Sequence, residues 1–105
     1  MKIIDILLKN NITPDYKGFD YLINAINYTM EYKKTNRVYP QMMRDVYPAV
    51  AKMFRVTPSR IESSIRHVIG KIKVKDIAET GRTNGGVISY FAYLELNERK
   101  EKQHG

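Results

Sequence analysis

Residues 56–70, VTPSRIESSIRHVIG, place small residues and hydrogen-bond donors at helical spacing. On a wheel of 100° per residue, an apolar stripe about 100° wide faces one way. Its members are Ile61, Ile65, Val68, Ile69 and Ile72. The opposite face has small residues at its centre: Ser59, Ser63 and Gly70. Arg66 lies close beside them, and Arg60, His67 and Glu62 lie on the flanks. Small residues permit close approach, and planar donors can hydrogen-bond to base edges and phosphates. The pattern predicts a helix of about residues 58–72 that lies in the major groove of DNA.

The positive charge of the chain is concentrated around this segment. Residues 41–75 hold eight basic and two acidic side chains, a net +6 within the formal +7 of the whole chain. A localised basic surface is typical of proteins that bind a polyanion. On charge alone, a solvated basic face that keeps the protein soluble is an equal alternative. The residues expected to contact DNA outside the helix face are Lys52, Arg55, Thr57, Lys71, Lys73 and Lys75.

The composition argues against several other kinds of site. There is no cysteine, which excludes a disulfide, a thiolate nucleophile and a Cys-based zinc site. The chain has two histidines and shows no Gly-rich phosphate loop, no Ser-His-Asp arrangement and no His-Glu-x-x-His motif. No apolar run approaches the roughly 20 residues of a membrane span. We expect a soluble, cytoplasmic protein that is not an enzyme and holds no metal or cofactor.

The helix of residues 58–72 is predicted to be the second half of a helix-turn-helix that spans about residues 42–72. In the preceding segment, Pro48 either starts a helix or kinks a longer one. Residues 55–57 form a tight turn that lacks the usual glycine, and Thr57 and Pro58 suit the cap and first position of the next helix. Apolar residues keep helical spacing before the turn and are expected to pack against the second helix: Met43, Val46 or Tyr47, Val50 and Phe54.

The remaining segments are predicted to surround this pair. Residues 3–10 suit a short helix, the stretch NNITPDYKG a loop, and residues 19–34 a central helix with an apolar side and a tyrosine side. If KIKV and ISYFAYL were strands, they would form the hairpin wing of a winged helix. The length and charged end of the last segment favour a helix that begins near Thr83 or Asn84. The expected fold is all-α, a compact bundle of about five to six helices in a single domain, residues 1–105, with a flexible tail at about 100–105.

Two stretches, KGFDYLINAI and VYPAVAKMFRVTPSRIESSIRHVIG, resemble the C-terminal effector domain of the stage zero sporulation protein A family. The resemblance covers residues 17–70 nearly continuously. It implies an all-helical effector domain of a response regulator that binds a specific double-stranded DNA box and regulates transcription at the initiation of sporulation. Carried over by position, the DNA-reading residues are Ser59, Arg60, Glu62, Arg66 and His67.

Three features depart from the family pattern. Ser63 stands where the family usually has Arg, and Gly70 stands where it has an acidic residue. The stretch KVKDIAETG is shorter than its counterpart, which in the family contributes to contact with the sigma subunit of RNA polymerase. The partners implied are double-stranded DNA, with the sigma subunit and a second copy of the chain on DNA as further candidates. The family's receiver domain has no counterpart in these residues. The alternative function is a helical module that docks an acidic protein partner without specific DNA binding.

Overall fold

Five α-helices make up most of the part of the chain that the structure describes. This computed structural model describes the backbone of residues 1–104 and the side chains of residues 1–99. The helices are α1 (Lys2–Lys9), α2 (Lys17–Asn36), α3 (Tyr47–Phe54), α4 (Pro58–Lys71) and α5 (Asn84–His104). A π-helical turn, Met42–Val46, precedes α3, and two 3-10 turns, Val74–Asp76 and Ala78–Thr80, lie between α4 and α5. Within residues 1–104 no strand forms, so the all-α prediction is confirmed and the wing hairpin is excluded. The predicted flexible tail falls on residues that lie outside the described side chains.

Helix α2 is the centre of the bundle. It packs against α1, α3, α4 and α5, and Leu22, Ala25 and Ile26 are fully buried. Tyr21, on the tyrosine side, is also buried. A helix that is covered on both sides needs apolar surface on both, which the tyrosine rings supply on this side. The predicted central helix is confirmed.

The start of α2 differs from the sequence prediction. Gly18 was assigned to a loop, yet it is the second residue of α2 and is buried. A Cβ atom at this position would collide with the carbonyl oxygen of Ser64 and a methyl group of Val68 on α4. The glycine therefore permits two helices to cross closely rather than breaking one of them.

The helix-turn-helix is formed by α3 and α4, with Pro48 as the second residue of α3. Arg55 ends α3 with a left-handed backbone, φ 57°, and the N–H of Val56 donates to the carbonyl of Ala51 at 3.0 Å. This is a Schellman-type helix end, which usually uses glycine at the left-handed residue. Thr57 caps α4 as predicted, since its hydroxyl oxygen accepts the N–H of Arg60 at 3.2 Å.

Two expected core residues of the first helix are not in the core. Met43 is 73% exposed because it lies in the π-helical turn, whose wider spiral changes the direction of its side chain relative to α3. Phe54 is 37% exposed and packs its edge against Tyr21, with ring centroids 4.9 Å apart. Val50, Ile61 and Ile65 are fully buried and form the shared core that was predicted.

Candidate nucleic-acid interface

The polar face of α4 is open to solvent along its whole length. Ser59, Ser63, Arg66 and Gly70 are exposed along its centre, and Arg60 and His67 are exposed on one flank. The predicted apolar stripe is buried beneath this face: Ile61, Ile65, Val68, Ile69 and Ile72. The wheel derived from the sequence is therefore correct. A shallow helix surface with donors on it can approach base edges closely.

Arg66 is not free on this face, because its guanidinium forms an ion pair with the carboxylate of Glu62 one turn earlier. The Arg66 side chain is 65% exposed, so water screens the pair. Exposed pairs at this spacing stabilise a helix by only about 0.3–0.5 kcal/mol. The pair is therefore weaker than a bidentate contact between arginine and guanine, which contributes about 1–3 kcal/mol of discrimination.

Ser63 uses its hydroxyl proton within the helix. The hydroxyl donates to the carbonyl of Ser59 at 3.0 Å and lies 3.4 Å from the carbonyl of Arg60. Its oxygen keeps acceptor capacity, which suits the amino group of cytosine or adenine. At this position the chain therefore presents a short acceptor where an arginine would present a long donor.

The N-termini of two other helices lie on either side of α4. On one side, the Asn84 amide at the start of α5 donates to the Glu62 carbonyl at 3.0 Å and lies 3.2 Å from the Tyr47 hydroxyl. On the other side, Gly18 at the start of α2 lies against Ser64 and Val68. Helix N-termini carry a partial positive charge, which attracts phosphates. At the start of α5 the Gly86 N–H is capped by the Thr83 hydroxyl at 2.9 Å. The sequence pattern did not predict this arrangement.

Each of these N-termini borders an open cavity beside α4. The cavity next to α5 has about 490 Å³ and is bordered by Glu62, Arg66 and Arg82 among others. The cavity next to α2 has about 260 Å³ and is bordered by Tyr16, Lys17, Ser63 and His67 among others. Both cavities open beside the exposed face of α4, so a ligand on that face would meet both N-termini.

Three residues at this surface were missed: Tyr16, Lys17 and Arg82. The Tyr16 ring lies 6.4 Å from the His67 ring, and the Lys71 ammonium lies 5.7 Å from the Tyr16 ring centroid. Arg82 is exposed two residues before α5 and has a left-handed backbone, φ 61°. The adjacent Tyr16 and Lys17, directly before Gly18, could have indicated a binding surface. The sequence pattern assigns them to a loop, so this signal was not used.

Apart from Lys71, the other predicted DNA-contacting residues lie outside α4. Lys52 and Arg55 are exposed on α3 and in the turn after it. The Thr57 oxygen is engaged as a cap, which leaves its hydroxyl proton to donate. Lys73 and Lys75 are exposed beyond the end of α4, where the Lys73 N–H donates to the Asn10 side-chain oxygen at 3.0 Å.

A family model for the sporulation initiation factor Spo0A C-terminal domain matches residues 3–102. The chain belongs to this family. Spo0A C-terminal domains are the DNA-binding effector domains of a response regulator, so the chain is a DNA-binding domain of transcription regulation in sporulation. No solved structure was found to match it.

The C-terminal domain of the Spo0A family is a DNA-binding regulatory domain and not a catalytic one. Among the described side chains, no three His, Asp or Glu residues cluster as metal ligands would. In the described part of the chain, no helix combines the length and apolar character that crossing a bilayer requires.

Proposed function

We propose that this domain recognises a specific DNA box by laying α4 in the major groove. The observation that supports it most is the exposed, small-residue face of α4 with a helix N-terminus on each side. The major groove is about 12 Å wide, and an α-helix with its side chains is about 10–12 Å across. With α4 in the groove, the N-termini of α2 and α5 would meet the phosphates of the two strands that border it.

The proposal gives each part of the surface a task. Arg66 reads guanine, Glu62 holds Arg66 until DNA binds, and Ser63 accepts a hydrogen bond from a base amino group. Arg60, His67 and Ser59 complete the reading face. The phosphates are neutralised by cations around it, Lys52, Arg55, Lys71 and Lys73, and the Thr57 hydroxyl donates a hydrogen bond to a phosphate. Each neutralised phosphate adds about −0.9 to the slope of log affinity against log salt concentration.

The test begins with selection of binding sites from random duplex DNA by the wild-type chain. Arg66→Ala should then weaken binding to the selected box by about 1–3 kcal/mol and relax the preference at one base position, because one bidentate base contact is lost. The measurements are a titration of each duplex and a repeated selection with the variant.

Lys73→Ala is the matched control, since it also removes one exposed cation. It should weaken binding to the box and to random DNA alike and make the salt slope shallower by about 0.9. If both variants weakened binding to the box and to random DNA equally, Arg66 would not read a base. A wild-type salt slope of zero would instead support the docking of an acidic protein in place of DNA.

The proposal extends to the wider assembly. It treats residues 1–105 as one domain and implies a cytoplasmic location, where the DNA lies. A second copy on an adjacent box and the sigma subunit of RNA polymerase are the proposed protein partners. The two 3-10 turns, Val74–Asp76 and Ala78–Thr80, stand in the short segment that corresponds to the family's sigma-contacting stretch. Sedimentation on DNA with one and two boxes tests the dimer, and pull-down with purified sigma subunit tests the other contact.

A further inference from the structure

A groove between the end of α2 and the middle of α5 has no part in the proposed DNA contact. We call it the α2–α5 groove. It encloses about 480 Å³, a size typical of ligand pockets. Its lining residues are Lys33, Lys34, Arg37, Tyr39, Tyr93, Leu96 and Asn97.

The α2–α5 groove combines cations with apolar surface. Lys34 and Arg37 are exposed cations, and Lys34 forms an exposed ion pair with Glu31 at 3.4 Å, which an incoming carboxylate can replace. The Lys33 ammonium lies 5.0 Å from the Tyr39 ring centroid and donates to the Arg37 carbonyl at 2.8 Å. Tyr93 is 51% exposed, although it is a large ring on a helix that packs along α2. Among the described side chains that line the groove, none is acidic. Positive charge beside an open aromatic surface fits an anionic partner with an apolar part.

The Lys34 end of the groove lies away from the crossing of α2 and α4. Gly18, near the start of α2, touches α4, whereas Lys34 lies sixteen residues further along the same helix. At 1.5 Å per residue the two are about 24 Å apart along the axis. A charge at Lys34 is therefore separated from that crossing by more than the Debye length, about 8 Å at physiological ionic strength, so it adds little to charge–charge interactions there.

We propose that the α2–α5 groove binds an acidic peptide segment of a partner protein that carries one bulky apolar side chain. The carboxylates of the segment pair with Lys34 and Arg37, and the apolar side chain packs against Tyr93 and Leu96. The Tyr39 ring is already engaged by Lys33, so the open aromatic surface is that of Tyr93. Stacking of a nucleic-acid base on Tyr93 would appear in the test below as a loss of DNA affinity. This peptide contact is independent of DNA recognition by α4.

The test uses a phage library of random dodecapeptides selected against the intact chain. Enriched peptides should be rich in Asp and Glu and share one Leu, Ile, Phe or Trp. An enriched peptide, made with a fluorescent label, is then titrated by anisotropy with each variant. The double variant Lys34→Glu/Arg37→Glu should lose at least about tenfold in peptide affinity through charge repulsion, with DNA affinity unchanged within about twofold. Tyr93→Ser should lose at least about fivefold through the missing apolar contact.

The matched control is Lys73→Glu/Lys75→Glu, which changes the net charge equally and should weaken DNA binding while leaving peptide binding unchanged. Thermal unfolding of every variant verifies that it is folded. The proposal is overturned if no acidic peptides are enriched, or if both double variants weaken peptide binding equally. It is also overturned if Tyr93→Ser does not change peptide affinity. The same holds if Lys34→Glu/Arg37→Glu lowers DNA affinity or changes the oligomeric state while peptide affinity stays at the wild-type value.

Discussion

At the scale of single residues, the proposed reading of DNA by Arg66 depends on its ion pair with Glu62. Because their ion pair holds the guanidinium beside the helix, the arginine is restrained before binding. Glu62→Gln keeps the shape of the side chain, removes the pair and removes a negative charge from the DNA-facing surface. We expect affinity for random duplex DNA to rise by roughly two- to fivefold, because an unrestrained arginine pairs with any phosphate. Preference for the selected box should fall, as measured by the ratio of the two affinities.

Glu31→Gln is the matched control for this prediction. It makes the same change in net charge near the far end of α2, where Glu31 pairs with Lys34 at 3.4 Å. It should leave both the affinity for random DNA and the preference ratio near their wild-type values. An equal rise with both variants would mean that net charge alone controls binding and that the Glu62–Arg66 pair has no part in discrimination.

At the scale of helices, the crossing of α2 over α4 depends on one missing side chain. Gly18→Ala would place a methyl group 2.5 Å from a methyl carbon of Val68 and against the backbone of Ser64. Backbone cannot rotate out of the way, so the two helices must move apart. We expect the free energy of unfolding to fall by about 1–3 kcal/mol, a large part of the 5–15 kcal/mol typical of a domain. Urea unfolding followed by far-ultraviolet circular dichroism measures it.

Gly70→Ala is the same chemical change on α4 without the crowding. A Cβ atom at Gly70 meets no atom within 4 Å, and the residue is exposed. It should raise the free energy of unfolding by about 0.5–1 kcal/mol, because alanine loses less backbone entropy in a helix. Opposite signs for the two substitutions support the close crossing, whereas a harmless Gly18→Ala would show that α2 and α4 lie further apart.

At the scale of the whole molecule, a polar link joins the end of α1 to the segment after α4. The Asp76 carboxylate accepts the Asn10 amide at 3.0 Å and the Lys9 ammonium at 3.2 Å. The hydrogen bond from Asn10, assisted by Lys9, lowers the pKa of Asp76 below its ordinary value of 3.8. A carboxyl group whose pKa is lower in the folded state stabilises the fold above the unfolded-state pKa, and this contribution is lost as pH falls through the folded-state pKa.

Asp76→Asn should therefore destabilise the chain at about pH 6, and this effect should become smaller as pH falls towards about 2 and the wild-type carboxyl takes up its proton. Urea unfolding of both chains across this range gives the difference at each pH. The same loss of stability at both ends of the range would show that the carboxylate charge contributes nothing to the link.

Much of the helix-turn-helix could be predicted from the sequence, because its determinants are local. The Thr57 cap and Pro58 define the start of α4, and the spacing of Ile61, Ile65 and Val68 defines which face is buried. These features depend on helix geometry and on side chains within one or two turns, so a single sequence carries them. The polar face of α4 follows as the complement of the buried stripe.

Contacts between distant segments were decided only by the tertiary structure. The residues just before Gly18 are typical of a loop. Only its contact with Ser64 and Val68 explains why a glycine lies within the helix. The positions of Tyr16 and Arg82 beside α4 likewise depend on how three helices cross. Hydrophobic periodicity and charge do not predict how two helices cross. The crossing angle and distance depend on packing between segments that are far apart in sequence. The sequence by itself therefore determined α4 and its exposed polar face, and the tertiary structure decided what flanks that face.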